Sequence, residues 1–487
     1  MRFPTLKYDL TASFVVFLVA LPLCVGVAVA SGVPAELGLI TGIVGGLVAG
    51  ALPGSSLQVS GPAAGLTVLV AETVQRFGLP ALGVVVVATG LLQLLLGALR
   101  WGRWFRAISV AVVEGMLAGI GLVIIAGQLY AMADRPAPSS GTDKLLGLPG
   151  LLVRLASEPA VLYPFLLGAG TIAVILLWQR LPARVRVVPG ALVAVALATG
   201  AAWLLHRPVK KVEVKGLLDA IQPPGTDVMD QLTPALLVTV VAFTLVASAE
   251  SLFSAAAVDR LHDGPRTDYD KELMAQGAGN ALCGALGALP MTAVIVRSAA
   301  NVQAGARTKA SRVLHGVWLL LFAALLPAAL GVIPVAALAG VLVHAGFKLL
   351  PLKQLRPLWR EHRTEALVLV ATAVAIVTVN MFEGVLIGLG LSVAKTAWET
   401  SRLHVDTEER PDGHLRVRLT GNATFLRLPK LLDALEATPA DRVVELDLSG
   451  LRHLDHACQS ALTTWTERHN ARAPEDVRLI PVGAGHS

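Results

Sequence analysis

Apolar runs close to twenty residues long recur from Thr11 to Ala397. Each is the length a helix needs to cross about 30 Å of hydrocarbon. In lipid every backbone amide and carbonyl must be satisfied within the protein, so runs of this kind are read as membrane-spanning helices. The segments fall near 11–30, 35–53, 62–76, 81–99, 107–131, 161–179, 187–205, 234–258, 273–289, 297–306, 313–330, 334–350, 364–380 and 382–398. Charged residues make up 15% of the chain, against about 25% in soluble domains.

Loop charges give an orientation. With the N-terminus in the cytoplasm, the loops after even-numbered segments should be basic. They hold Arg100, Arg103 and Arg106; Arg180, Arg184 and Arg186; Arg260, Arg266 and Lys271; Arg307, Lys309 and Arg312; and Lys348, Lys353, Arg356, Arg360 and Arg363. Two of the opposite loops, 134–158 and 206–231, also carry basic residues and fit less well. An even segment count puts both termini in the cytoplasm, and the first apolar run is read as a retained helix rather than a cleaved signal. The net charge of +6 is thereby explained by topology and needs no nucleic acid. Cys24, Cys283 and Cys458 lie far apart, with no ligand spacing for zinc and no disulfide framework.

The third and tenth segments are too short to span. One follows Leu57-Gln-Val-Ser-Gly-Pro-Ala-Ala-Gly65, the other Pro290-Met-Thr-Ala-Val-Ile-Val-Arg-Ser298. Each reads as a few extended residues followed by a half-helix, with Pro62 expected in the first turn of one and Ser298 expected to cap the other. Interrupted helices at matching places in two sevenfold halves point to a binding site at an inverted-repeat interface. Helix N-termini favour anions, and Arg297 at the second one adds a forked cation suited to an oxyanion.

Among acidic residues, Glu72 and Glu114 lie near segment ends and Glu383 in a turn. Glu250 lies within an apolar helix, one turn from Ser254, while Asp259 is close to the cytoplasmic end. A carboxylate inside the membrane is costly and therefore a functional candidate. Near Arg297, Glu250 would load a proton or a sodium ion together with the anion.

After Trp398 the chain becomes charged and alternating, with strands expected at 415–419, 442–448 and 477–480 and helices at 428–437 and 457–469. This is a small α/β domain. Asp447, Ser449, His453, Asp455 and His456 cluster in its strand-to-helix region, where a polar loop serving interaction or regulation is the reading, not catalysis. Neither part of the chain offers an enzyme's nucleophile, metal or nucleotide constellation.

The sequence resembles the bacterial SulP inorganic-anion transporters. The matching stretches are Leu21-Pro-Leu-Cys-Val-Gly-Val-Ala28, Val59-Ser-Gly-Pro-Ala-Ala-Gly-Leu66, Ala249-Glu-Ser-Leu-Phe-Ser254, Lys271-Glu-Leu-Met-Ala-Gln-Gly-Ala-Gly-Asn280, Leu289-Pro-Met-Thr292 and Val296-Arg-Ser-Ala-Ala-Asn301. The tail resembles the family's STAS domain, in a shortened form. The resemblance implies an all-α polytopic fold of about fourteen segments in a 7+7 inverted repeat of the uracil-permease type. Transport then belongs to residues 1–400, with a moving core (11–99 and 234–330) and a gate (107–205 and 334–398), and the STAS-like domain to 401–487. It also implies a homodimer in the bacterial inner membrane, with a cytoplasmic partner for the tail left open.

Carried over by position, the anion would meet Ala63, Ala64, Gly65, Val296, Arg297 and Ser298. Glu250 matches an acidic coupling residue, Ser254 a sodium-liganding threonine, and Ala293, Val294 and Ile295 a Gly-Ala-Thr sodium loop. Ala63 and Ile295 lack the hydroxyls the bicarbonate carriers have there, which leaves Na+ against H+ open. The expectation is a secondary transporter of a small inorganic anion, bicarbonate first and sulfate second, working by an elevator motion. A dicarboxylate carrier, an uncoupled exchanger or channel, and a membrane sensor signalling through the tail are the rivals.

Overall fold

The computed structural model describes residues 3–103, 109–138, 140–182, 185, 188–205, 208–214, 216–224, 233–411, 413–439, 442–473 and 475–481. Arg106, Arg184 and Arg186 therefore lie outside the described residues. The chain divides into two compact units, Met1–Leu389 and Gly390–Ser487.

Every expected apolar segment is a helix in the first unit or at its border. They are α1 (Phe3–Ala30), α2 (Ala35–Val44, continued by a wider turn over Gly45–Ala49), α3 (Thr67–Phe77), α4 (Leu79–Ala98) and α5 (Val110–Met132). Two short helices that periodicity did not announce follow, α6 (Gly141–Leu146) and α7 (Leu148–Ser157). Next come α8 (Pro159–Trp178), α9 (Gly190–Leu204), α10 (Pro234–Val258), α11 (Tyr269–Ala285), α12 (Ile295–Gln303), α13 (Ala310–Leu325) and α14 (Val335–Leu349). A third unannounced helix, α15 (Leu352–Glu361), precedes α16 (Arg363–Thr378) and α17 (Met381–Thr400). Among the described residues, seven helical stretches are individually long and apolar enough to cross a membrane.

The helix packing carries the inverted repeat. In the first half α4 packs along α10 and α11; seven segments later α13 packs in the same way along α1 and α2. Likewise α5 packs on α16, and its counterpart α14 on α8. Small residues allow backbones to touch at both crossings. A Cβ on Gly46 would lie 2.5 Å from the Cα of Gly316, and one on Gly277 would lie 2.7 Å from the carbonyl of Gly90.

Between the halves, β1 (Ser60–Pro62) pairs antiparallel with β2 (Met291–Ala293), Ser60 opposite Ala293 and Pro62 opposite Met291. Two expectations are corrected here. Pro62 belongs to the strand, and the helical path begins after it with a 3-10 turn over Ala64–Leu66. Ser298 does not cap α12: Val294 occupies that position without a side-chain bond, and Ser298 sits within the helix.

In the second unit, β3 (Leu403–Glu409), β4 (Leu415–Ala423), β5 (Val444–Leu454) and β6 (Arg478–Ile480) form one sheet in that order. β3 runs antiparallel to β4, and the other two pairings are parallel. Each parallel connection contains a helix, α18 (Leu428–Glu436) and α19 (His456–Asn470), as parallel strands require. Strand β3 was not expected; its sequence, Leu-His-Val-Asp-Thr-Glu-Glu, shows mostly exposed side chains and so little alternation. Leu403, Val417, Leu419, Leu431, Leu435, Leu446, Cys458 and Leu462 form the core of this unit.

Candidate functional site

Because β1 and β2 are antiparallel and each leads into a helix, α3 and α12 leave the crossing in opposite directions with their N-termini beside it. A helix leaves its first amides without intrahelical acceptors, and neither of these helices has a side-chain cap. The Leu66 amide reaches the Ala63 carbonyl (3.2 Å) and the Val294 amide the Val59 carbonyl (2.9 Å). The amides of Ala64 and Gly65 on one side, and of Ile295, Val296 and Arg297 on the other, make no hydrogen bond among the described residues. Unpaired N–H groups at a helix N-terminus are what an oxyanion binds.

Glu250 of α10 stands against this crossing. A Cβ on Gly65 would lie 2.8 Å from each of its carboxylate oxygens, so a larger residue there would force the carboxylate to shift. Thr292 of β2 stands next to the carboxylate, and Oε2 is buried without a hydrogen-bond partner among the described residues. Ser254, a turn further on, donates to the Ala293 carbonyl at 2.9 Å, and the Ala293 amide donates to Ser251 Oγ at 3.3 Å. Ala63 is buried, while the side chains of Ile295 and Val296 are exposed.

Arg297 lies elsewhere than expected. Its side chain is fully buried, with Nη2 donating to the Pro62 carbonyl at 3.4 Å and Nη1 against Gly61. Its neighbours are Cys24 of α1 and His315 of α13, and among the described residues no ion pair joins it to Glu250. Glycine at 61 leaves room for a guanidinium where a Cβ would collide with Nη1. The cation thus stands behind the strand that leads into α3, and its Nε and Nη1 have no hydrogen-bond partner among the described residues. Its charge reaches the crossing through a peptide group rather than by projecting its fork.

Polar side chains from α11 and α12 fix the crossing. Asn280 accepts from the Met291 amide (2.7 Å) and donates to the Met291 carbonyl (3.1 Å) and to Gln93 (2.8 Å). Gln276 donates to Ser60 Oγ and to Glu272, both at 2.7 Å. Glu272 also accepts the Ser55 amide at 2.8 Å. On the α12 side, Ser298 Oγ accepts the Val59 amide (2.9 Å) and donates to the Val294 carbonyl (2.8 Å), and Asn301 donates to the Leu57 carbonyl (2.9 Å). The sequence reading gave Glu272, Gln276 and Asn280 no role, although their four-residue spacing places them on one helix face.

Asp259 does not enter the crossing. Its carboxylate accepts from the amide (3.1 Å) and hydroxyl (2.8 Å) of Thr267, which closes the loop between α10 and α11. In the tail, Asp447 and Asp455 have separate structural partners. Asp447 accepts from Ser449 (2.6 Å) and Arg416 (2.5 Å), and Asp455 caps α19 by accepting the Cys458 amide (2.8 Å). His453 and His456 are exposed. No cluster of metal ligands occurs among the described residues.

Two half-helices that start from one antiparallel strand crossing between inverted repeats, beside the carboxylate of Glu250 in an apolar helix, are the layout of a membrane carrier. The chain belongs to the sulfate permease family, whose profile matches residues 6–372, and a Mlab-type STAS domain matches residues 407–475. Among relatives, the bicarbonate transporter BicA of Picosynechococcus sp. is 24% identical over 440 residues, covering 86% of this chain and 75% of its own. A sodium-independent sulfate anion transporter of Bos taurus is 26% identical over 487 residues, covering 93% and 80%. The structure of murine Slc26a9, an anion transporter in its inward-facing state, superposes with a TM-score of 0.81 at 15% identity. That match covers 98% of this chain and 86% of that one. The protein is therefore a multi-pass membrane transporter of the anion-carrying SulP type with a STAS domain.

Proposed function

We propose that this chain moves a small inorganic anion, bicarbonate first and sulfate second, by coupling it to Na+ or H+ at Glu250. The observation that carries the reading is the set of unpaired amides from Ala64, Gly65, Ile295, Val296 and Arg297 beside a carboxylate whose Oε2 has no partner. The amides suit a compact oxyanion. The carboxylate repels that same anion until a cation or a proton neutralises it, and an unpaired buried charge is costly in either state of the cycle. Anion and cation therefore load together, which is the thermodynamic content of symport.

Ser254 Oγ and the Ala293 carbonyl supply oxygens beside Glu250 for a sodium ion, although Ile295 adds no side-chain oxygen. The substrate preference leans on the names of the relatives, a bicarbonate transporter and a sulfate anion transporter among them. An elevator motion would carry α1–α4 and α10–α13 against α5–α9 and α14–α17. Both termini would lie in the cytoplasm of a bacterial inner membrane, the protein would be a homodimer, and the tail would meet a cytoplasmic partner.

Reconstitution into liposomes tests the reading. Labelled bicarbonate and sulfate are offered with a sodium gradient, a proton gradient, or neither. Uptake of either anion driven by one gradient is expected. Uptake of both anions that ignores every cation gradient would replace symport by exchange or a channel, and uptake of neither would remove the substrate class.

A further inference from the structure

The segment between α14 and α16, expected as a basic loop, is a helix with an uncovered two-sided surface. α14 ends at Leu349 and α16 begins at Arg363, and α15 fills the gap between these two apolar helices. Since α14 and α16 are membrane segments joined by this short connection, α15 lies at one membrane face.

Its faces are chemically distinct. Leu355 and Leu358 pack on the cluster of Ala111, Val112, Val368 and Leu369, so one side is docked to the protein. Leu352 and Trp359, seven residues apart and so on one face, are 64% and 47% exposed. Lys353, Arg356 and Arg360 repeat at three- and four-residue spacing on a neighbouring stripe, extended by Arg363 at the start of α16. All four are exposed, and none has an ion-pair or hydrogen-bond partner through its side chain among the described residues. Glu361 is the single acidic residue in the helix.

An exposed leucine and tryptophan beside a row of free cations match a membrane interface, where aromatic rings sit at headgroup depth and basic side chains reach the headgroups. A soluble acidic partner would use the cations but would leave Leu352 and Trp359 in water. We propose that α15 lies in the interface and binds the headgroups of anionic phospholipids of the surrounding bilayer through Lys353, Arg356, Arg360 and Arg363, anchoring α14 and α16 to the membrane surface. Each basic residue near a charged leaflet contributes about 1 kcal/mol, roughly fivefold in affinity.

The test titrates the purified full chain with phosphatidylglycerol or phosphatidylcholine in detergent and counts retained lipids by native mass spectrometry. It compares the wild type with a variant carrying Lys353→Gln, Arg356→Gln, Arg360→Gln and Arg363→Gln. A control variant replaces exposed Arg452, Arg468, Arg472 and Arg478 of the tail by Gln, which removes the same charge elsewhere. Circular dichroism and gel filtration check that both are folded. Phosphatidylglycerol binding should fall by about tenfold or more in the α15 variant, weaken with added salt in the wild type, and stay unchanged in the control. Equal retention by all three proteins, or equal binding of both lipids by the wild type, would overturn the proposal. So would loss of self-association, with lipid retention intact, in the α15 variant, because the surface would then meet a second copy of the chain. None of these readouts depends on which anion is carried.

Discussion

Glu250 and Gly65, far apart in sequence, meet so closely that a methyl group on Gly65 would stand 2.8 Å from both carboxylate oxygens. The contact ties α10 to the start of α3, and it makes Gly65→Ala a sharp probe. An added Cβ has to displace either the carboxylate or the free amides of Ala64 and Gly65. We expect gradient-driven anion uptake to fall at least about tenfold in Gly65→Ala, because a displacement near 1 Å at a site is that costly. Gly170→Ala, at a glycine with nothing within 4 Å, should transport normally. Measuring both in the same liposomes separates the site from a general effect on the fold.

Glu250→Gln removes the charge and keeps the shape. If the carboxylate couples the cation, uptake driven by a sodium or pH gradient should vanish in this variant, while anion binding to detergent-solubilised protein should persist or tighten, since the repelling charge is gone. An unchanged gradient-driven rate would remove Glu250 from coupling.

Arg297 is held behind β1 by the Pro62 carbonyl and Gly61, so in the proposed anion site it would act through charge and through the position of the strand. Arg297→Lys keeps the charge but loses the planar fork. We expect Lys to retain part of the anion affinity, and Ala to lower it by about tenfold or more, as read by isothermal titration. Equal affinity in wild type and Arg297→Ala would show that the helix termini suffice.

Much of this was legible in the sequence, for reasons that can be traced. All the apolar segments appear as helices because a spanning helix must satisfy its backbone alone, which leaves a long, unbroken apolar signature. The half-helices at Thr67 and Ile295 stood out because they break that rule. The charge partnership between Glu250 and Arg297 did not follow, since spacing along the chain does not say to which side of α12 a side chain turns. Glu272, Gln276 and Asn280 passed unassigned because a polar stripe on a helix is ordinarily a solvated face, and only the packing of α11 on α4 shows it buried. Helix α15 was obscured by its arginines, which serve topology and structure at once.

The stripe on α11 leads to a stability prediction. Asn280 is fully buried and holds both the amide and the carbonyl of Met291. Asn280→Ala leaves both groups, and the Gln93 side-chain oxygen, short of a partner. Each buried unsatisfied group costs about 1–3 kcal/mol, so the variant should lose several degrees of thermal stability in detergent. Asn280→Asp would keep the acceptor for the Met291 amide but turn an oxygen toward the Met291 carbonyl, and should be no better. A Tm equal to wild type in Asn280→Ala would mean that β2 is held by its pairing with β1 alone.

The tail offers a test by acid. Burial pushes the Asp447 carboxyl up, but hydrogen bonds from the Ser449 hydroxyl and amide and the nearby Arg416 outweigh it and hold the group below the usual carboxylate range. A carboxyl depressed by folding contributes stability that is fully present above its unfolded pKa, about 3.9, and is lost as pH falls through the folded value. Hydrogen exchange in β4 and β5 should therefore be slow and nearly flat from neutral pH down to about 5, once the intrinsic pH dependence of exchange is removed, and should accelerate below about pH 4. In Asp447→Asn the Arg416 pairing goes, so protection should be lower at neutral pH and the acid-dependent loss should shrink. The acidic limb is diagnostic: an Asn variant that loses protection with pH as steeply as the wild type would assign the acid sensitivity to another carboxyl, with Asp455 the next to examine, since the Cys458 and Phe425 amides depress it in the same way against its own burial.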